Sequence, residues 1–187
     1  MSERYRAVIG VLLDPRTQRV VDIFRALGDF EAAYDIAVID VLEHRLTGIC
    51  GPSGARAIVS DALLFGFALR NKRTDLSWPH GDWDLAPIGT RQATAHECAM
   101  LALVAGCGRM EEDLQRDEGL ALATLAATRL GVRLDASLAS LARELATRIA
   151  RAGMPIDRPD WPRLLDNPIE TVGARRPVAS ASQLLRF

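Results

Sequence analysis

Apolar side chains recur every three or four positions along most of this chain, the spacing that lines one face of an α-helix, and the recurrence breaks at glycine and proline. The clearest segment opens with Asp14 and Pro15, which suit an N-cap and a first helical position. It carries Val20, Ile23, Phe24 and Leu27 on one stripe and is predicted to stop at Gly28. A second helix is predicted from Asp29 to Gly48, with Phe30, Ala33, Tyr34, Ala37, Val38, Val41 and Leu42 inward and Glu31, Asp35, Glu43 and Arg45 on the opposite face. After a break at Gly51-Pro52-Ser53-Gly54, the stretch from Ala55 to Asn71 is apolar on nearly all sides near its middle. It is therefore expected at the centre of the bundle, with Gly66 marking a close helix crossing.

Farther along, Thr94-Ala95-His96-Glu97 has the form of a capping box, followed by a buried helix over Cys98 to Ala105. A longer helix is predicted from Met110 to Leu130, with Glu111, Glu112 and Asp113 at the positive end of its dipole and Gly131 at its stop. Asp135 can cap a last helix that carries Leu138, Leu141, Leu145 and Ile149 on one stripe and ends near Gly153. The segment from Tyr5 to Leu13 fits a short helix or a strand equally well. The expected architecture is all-α: a single-domain bundle of about six helices over residues 1–153, with an aromatic loop at 75–89. Residues 154–187 hold five of the nine prolines and are expected to form an irregular C-terminal tail on the bundle or on a partner subunit, with a short helical piece from Trp161 to Leu165.

A chain of 187 residues can bury one sizeable core but hardly two. Its 49% hydrophobic and 25% charged content is that of an ordinary globular protein. A net charge of -1 leaves no overall electrostatic footprint for nucleic acid or an acidic membrane. Lys72 is the single lysine, and this arginine bias fits a GC-rich bacterial genome better than a selected phosphate-binding surface. The apolar run Ala7 to Leu13 leads straight into Asp14-Pro15 without a small-residue cleavage site, and Ala62 to Leu69 is too short to cross a bilayer. Cys50, Cys98 and Cys107, an odd number in a chain this large, suit a reducing cytoplasm.

The densest group of chemically capable residues outside a predicted helix is Trp78, His80, Asp82, Trp83 and Asp84. A histidine beside carboxylates can serve as a general base, with the indoles as an apolar wall for a small ligand. The competing expectation is structural, with both tryptophans plugging the end of the bundle and the two acids bonding a turn around Gly81. His96, Glu97, Cys98 and Cys107 are metal-ligating types at spacings that match no ligand motif, so no metal or other cofactor is expected. Cys50 to Arg56 lacks the Gly-Lys-Ser/Thr ending of a phosphate loop, and no Gly-x-Ser-x-Gly elbow is present, so no catalytic residue is assigned.

The expectation for function is therefore a non-enzymatic helical protein acting through protein contacts, with a protein partner or a homo-oligomer and no membrane. The apolar ending Leu184-Leu185-Arg186-Phe187, behind Arg175-Arg176-Pro177, is one segment able to dock into a groove. Two alternatives accompany it. Residues 119–150 have the rhythm of a helix-turn-helix, although Ala136 to Leu145 offers a DNA groove few basic side chains beyond Arg143. The loop at 78–84 is the alternative small-molecule site.

Overall fold

The structure, a computed structural model, describes residues 8–74, 83–110, 114–154, 156 and 160–166. Along the chain the elements are β1 (Val8–Leu12), α1 (Pro15–Ala33), α2 (Ile36–Asn71), β2 (Gln92–Thr94), α3 (Ala95–Arg109), α4 (Arg116–Leu130), α5 (Ala136–Arg151) and α6 (Trp161–Asp166). The fold is an all-α bundle, and its two short strands pair antiparallel beside it. Within the ambiguous segment, Val8–Leu12 is a strand, because Gln92–Thr94 offers it an edge, and residues 5–7 lie outside the described residues. Among the described residues no helix is long and apolar enough to cross a membrane.

Asp14 caps α1 as expected, accepting from the backbone N–H of Arg16 at 2.9 Å and of Thr17 at 3.1 Å. The helix does not stop at Gly28. It continues to Ala33, and Tyr34 closes it in the left-handed region at φ 53°. Gly28 serves packing instead, since a Cβ there would stand 2.4 Å from Leu85 Cδ1. The second helix consequently starts at Ile36, with Asp35 as its N-cap, and not at Asp29. The expected break at Gly51 is a kink inside α2, where Gly51 turns to φ 74° and Pro52 withholds an N–H from the ladder.

The central helix is α3, every residue of which is buried from Glu97 to Cys107. It packs against α4, α5, α1 and α6, which its Ala, Leu and Val side chains permit on all sides. The second half of α2, expected in the centre, instead leaves Leu64 and Phe67 about half exposed. Nor does Gly66 mark the tight crossing, because a Cβ there would meet Leu27 Cδ1 at an ordinary 3.7 Å. That role falls to Gly106, where a Cβ would lie 2.7 Å from the backbone N of Ala123 and 2.8 Å from the carbonyl O of Gly119.

Helix α4 begins at Arg116, later than Met110, so Asp117 and Glu118 are the acids of its first turn. Residues 111–113 lie outside the described residues. Gly131 ends α4 at φ 64°, and Asp135 caps α5, as their residue types require. The corner between these helices is sewn to the end of α2. Thr74 N–H donates to Gly131 C=O at 2.8 Å, Arg133 N–H donates to Lys72 C=O at 2.8 Å, and the Lys72 ammonium pairs with Asp135. Beyond α5, Met154, Ile156, Trp161 and Leu165 all enter the core, and the Trp161 indole donates to Ile156 C=O at 3.0 Å.

Candidate functional site

Of the loop residues with predicted site chemistry, Trp78, His80 and Asp82 lie outside the described residues. Trp83 and Asp84 are described, and both are engaged in fastening the segment. The Trp83 indole N–H donates to Leu130 C=O at 3.1 Å, at the end of α4, while the Arg73 guanidinium lies 5.0 Å from its ring centroid. Asp84 donates its backbone N–H to His96 Nδ1 at 2.9 Å and accepts the Thr94 hydroxyl on its carbonyl at 2.6 Å. A backbone amide can only donate, so His96 Nδ1 carries a lone pair and the neutral ring holds its proton on Nε2. Burial lowers the His96 pKa, opposed by the charges of Asp84 and Glu97.

The rest of residues 83–90 forms a strap across α1 and the start of α3. Ala86 N–H donates to Glu97 Oε1 at 2.7 Å, Gly89 N–H donates to Asp22 Oδ1 at 2.9 Å, and Gln18 Nε2 donates to Gly89 C=O at 2.8 Å. Beneath it, Arg25 and Glu97 form a buried ion pair, Nε to Oε1 at 2.7 Å and Nη2 to Oε2 at 2.9 Å. The remaining Arg25 donors reach Thr90 C=O at 2.6 Å, Gln92 C=O at 2.9 Å and Asp22 Oδ1 at 3.0 Å. Burial works against the Arg25 charge, yet its bonds to Glu97 and Asp22 outweigh that cost and raise its pKa. Glu97 also closes the predicted capping box, accepting Thr94 N–H at 2.8 Å. The Arg25 guanidinium and both Glu97 carboxylate oxygens are therefore spent on structure.

Asp22 connects the cluster to an open cleft of about 760 Å³ between α1 and the first half of α2, with Ile88 of the strap on one side. Ala26, Leu42 and Leu46 form its buried floor. Val38, Val41 and Ile49 line the α2 wall, and Arg19, Asp29, Asp35 and Arg45 stand around the rim. Arg45 shares this face with Val38 and Val41 because it follows them by seven and four residues on one helix. The expectation that put Arg45 on the face opposite Val38 and Val41 is thereby corrected, since that spacing holds wherever the helix starts.

The described residues lining the cleft include no histidine, cysteine, serine or lysine. Asp22 is occupied by Arg25 and Gly89, and Asp35 by the N–H of Ala37. That lining supplies shape, apolar surface and charged side chains of both signs. Elsewhere Cys98 and Cys107 are buried, and burial pushes the Cys107 thiol up to about 11. The half-buried Cys50 donates its S–H to Leu46 C=O at 3.3 Å. Among the described residues, no three His, Cys, Asp or Glu side chains converge as a metal site would require.

In the helix-turn-helix candidate, α4 and α5 both pack against α3, while α5 buries Leu138, Ala142, Leu145 and Ile149 inward. The exposed residues of α5 are Ala136, Ser137, Glu144, Ala150 and Arg151, one acid and one base. The cleft went unnoticed in the sequence because it is a gap between two helices, and periodicity reports only which residues share a face. Compared with family models, curated proteins and solved structures, the chain matches none.

Proposed function

We propose that this chain acts through protein contacts, and that the cleft between α1 and α2 is its docking surface. The observation carrying the proposal is apolar surface left uncovered in the cleft, where Val41 is 52% exposed beside Val38 and Ile49, with Tyr34, 82% exposed, at the corner between the two helices. Isolated exposed apolar residues are ordinary, whereas an exposed Val41 continuous with the apolar lining of a cleft is surface of the kind partners cover. Fully burying a side chain of this size gives about 1.5–3 kcal/mol, so covering the patch supplies several kcal/mol toward the cost of association.

Tyr34 adds a second support. Its φ of 53° belongs to a region that glycine enters freely and a side chain enters at a cost of about 1 kcal/mol. Its ring meets Phe30 edge-on, with centroids 6.3 Å apart, yet stays open to solvent. Folding alone gives little return for an aromatic there, whereas a protein interface does. The setting proposed with this function is a bacterial cytoplasm, supported by three free thiols and by an arginine-rich, lysine-poor composition.

The test is a photo-crosslinking amino acid placed at position 41 of the full chain in the cells that naturally make it, with position 144 on α5 as the control. The expected result is a crosslink to polypeptide from position 41 and none from position 144. Absence of any polypeptide adduct at position 41, or a small-molecule adduct in its place, would overturn the proposal.

A further inference from the structure

We infer that His96 is an acid-released latch: on taking up one proton its ring lets go of Trp83 and Asp84 at the front of the strap, while Ala86 to Thr90 stay fastened. The two ends of the strap are held by different chemistry. At the rear, Ala86 N–H donates to the Glu97 carboxylate, Gly89 N–H donates to the Asp22 carboxylate, and Thr90 C=O accepts from the Arg25 guanidinium. A proton on His96 alters none of those partners. At the front, the acceptor for Asp84 N–H is the His96 ring itself, Nδ1 at 2.9 Å.

An imidazolium carries two N–H groups and no free lone pair, so protonation sets one donor against another across that contact and the bond is lost. A second fastening weakens with it. Arg73, just past the end of α2, lies 5.0 Å from the Trp83 ring centroid, and its charge opposes a cation on His96. The imidazolium therefore repels the guanidinium that rests on Trp83. The hydrogen bonds that remain at the front join neutral groups, the Trp83 indole to Leu130 C=O and the Thr94 hydroxyl to Asp84 C=O.

The surroundings of the ring give the sign. Among the described residues, Asp84 of the strap and Glu97 of α3 favour the cation, whereas burial and Arg73 disfavour it. Burial is the largest of the four, so opening the ring to water helps the cation more than moving Asp84 away hinders it. Proton uptake and release of the front consequently favour one another.

Hydrogen exchange of backbone amides and indoles tests the inference, read by NMR on the isotope-labelled full chain from about pH 8 to about pH 5 and corrected for the intrinsic pH dependence of exchange. Protection of the Trp83 indole and the Asp84 amide should fall by up to about tenfold per pH unit on the acid side, the limit that one proton sets. Ala86, Gly89 and the Trp161 indole should hold theirs. In His96→Gln, whose side-chain oxygen can accept Asp84 N–H and takes no proton, the front should stay protected throughout. Arg73→Gln removes a charge that opposes the imidazolium and should move the release to higher pH. Circular dichroism confirms that each variant is folded.

Front and rear opening together overturn the inference, since the rear contacts do not involve the ring. So does a front that stays protected after the ring carbons of His96 report its protonation, or a His96→Gln chain that opens as the wild type does. A release that Arg73→Gln leaves in place or moves to lower pH overturns it as well. Should His96→Gln fail to fold, the wild-type contrast between Asp84 and Ala86 and the direction of the Arg73→Gln shift still decide.

Discussion

Arg25 and Glu97, 72 residues apart in the chain, meet side to side in the interior, with the guanidinium 1% exposed and the carboxylate not exposed at all. The pair joins α1 to the first turn of α3, and through Ala86, Thr90 and Gln92 it fixes the course of the strap between them. Glu97→Gln would leave the arginine charge buried beside a neutral amide and turn an N–H toward donors where a carboxylate oxygen had accepted them. We expect a loss of about 3–5 kcal/mol in urea unfolding, the range for breaking one side of a buried ion pair. Adding Arg25→Met should cost less than the two single effects summed, because each partner's cost comes largely from stranding the other. A single-variant loss under about 1 kcal/mol would show that the pair does not hold the strap.

Gly106 and Gly66 separate packing from helix propensity. Gly106→Ala drives a methyl into the backbone of α4 at Ala123 and Gly119, so we expect destabilisation of about 1–3 kcal/mol. Gly66→Ala meets only ordinary contacts from Leu27 and Glu31 and should gain up to about 1 kcal/mol from helix propensity. Thermal unfolding of the two variants should therefore move in opposite directions. Equal shifts would show that the helix crossing at Gly106 is looser than described.

His96 should make stability fall on mild acidification. Its folded pKa lies below the ordinary 6.5, chiefly through burial, so below that pH the unfolded chain takes up a proton that the folded chain refuses. Stability from this group is complete above 6.5 and is lost as the pH falls from there through the folded pKa. His96→Gln, which keeps an acceptor for the Asp84 N–H, should flatten that part of the pH profile. A wild-type profile no steeper than that of the variant would show that the ring titrates without linkage to folding.

Tyr34→Gly should divide folding from association. Glycine adopts the left-handed corner without the steric cost while widening the unfolded ensemble, so stability should remain within about 1 kcal/mol of wild type. Association should weaken, because an aromatic beside the docking cleft is gone. Unchanged association with altered stability would mean that the ring serves the corner between α1 and α2 and no interface.

Much of the fold was legible because its signals are local. Asp14, Asp135, Gly131 and the Thr94–Glu97 box each act within one turn, on N–H and C=O groups that any helix end leaves unpaired, so residue type and spacing sufficed to place them. Gly28 misled for the same reason. A glycine that ends a helix and one that admits Leu85 look alike in sequence, and only the neighbour across space distinguishes them. Of the candidate site, Trp83 and Asp84 lie outside the helices, and their bonds to Leu130, His96 and Thr94 are made to other elements, which no local pattern announces.

By itself the sequence determined the helices, most of their caps and the all-α class, because 3.6-residue periodicity and capping are properties of a single segment. Tertiary structure alone decided that α3 and not the end of α2 is central, that Glu97 answers Arg25 as well as its own helix end, and that α1 and α2 diverge to open a cleft beneath Val41. Each of these depends on distances between segments far apart in the chain, which are set by the joint packing of side chains and encoded in no one of the segments alone.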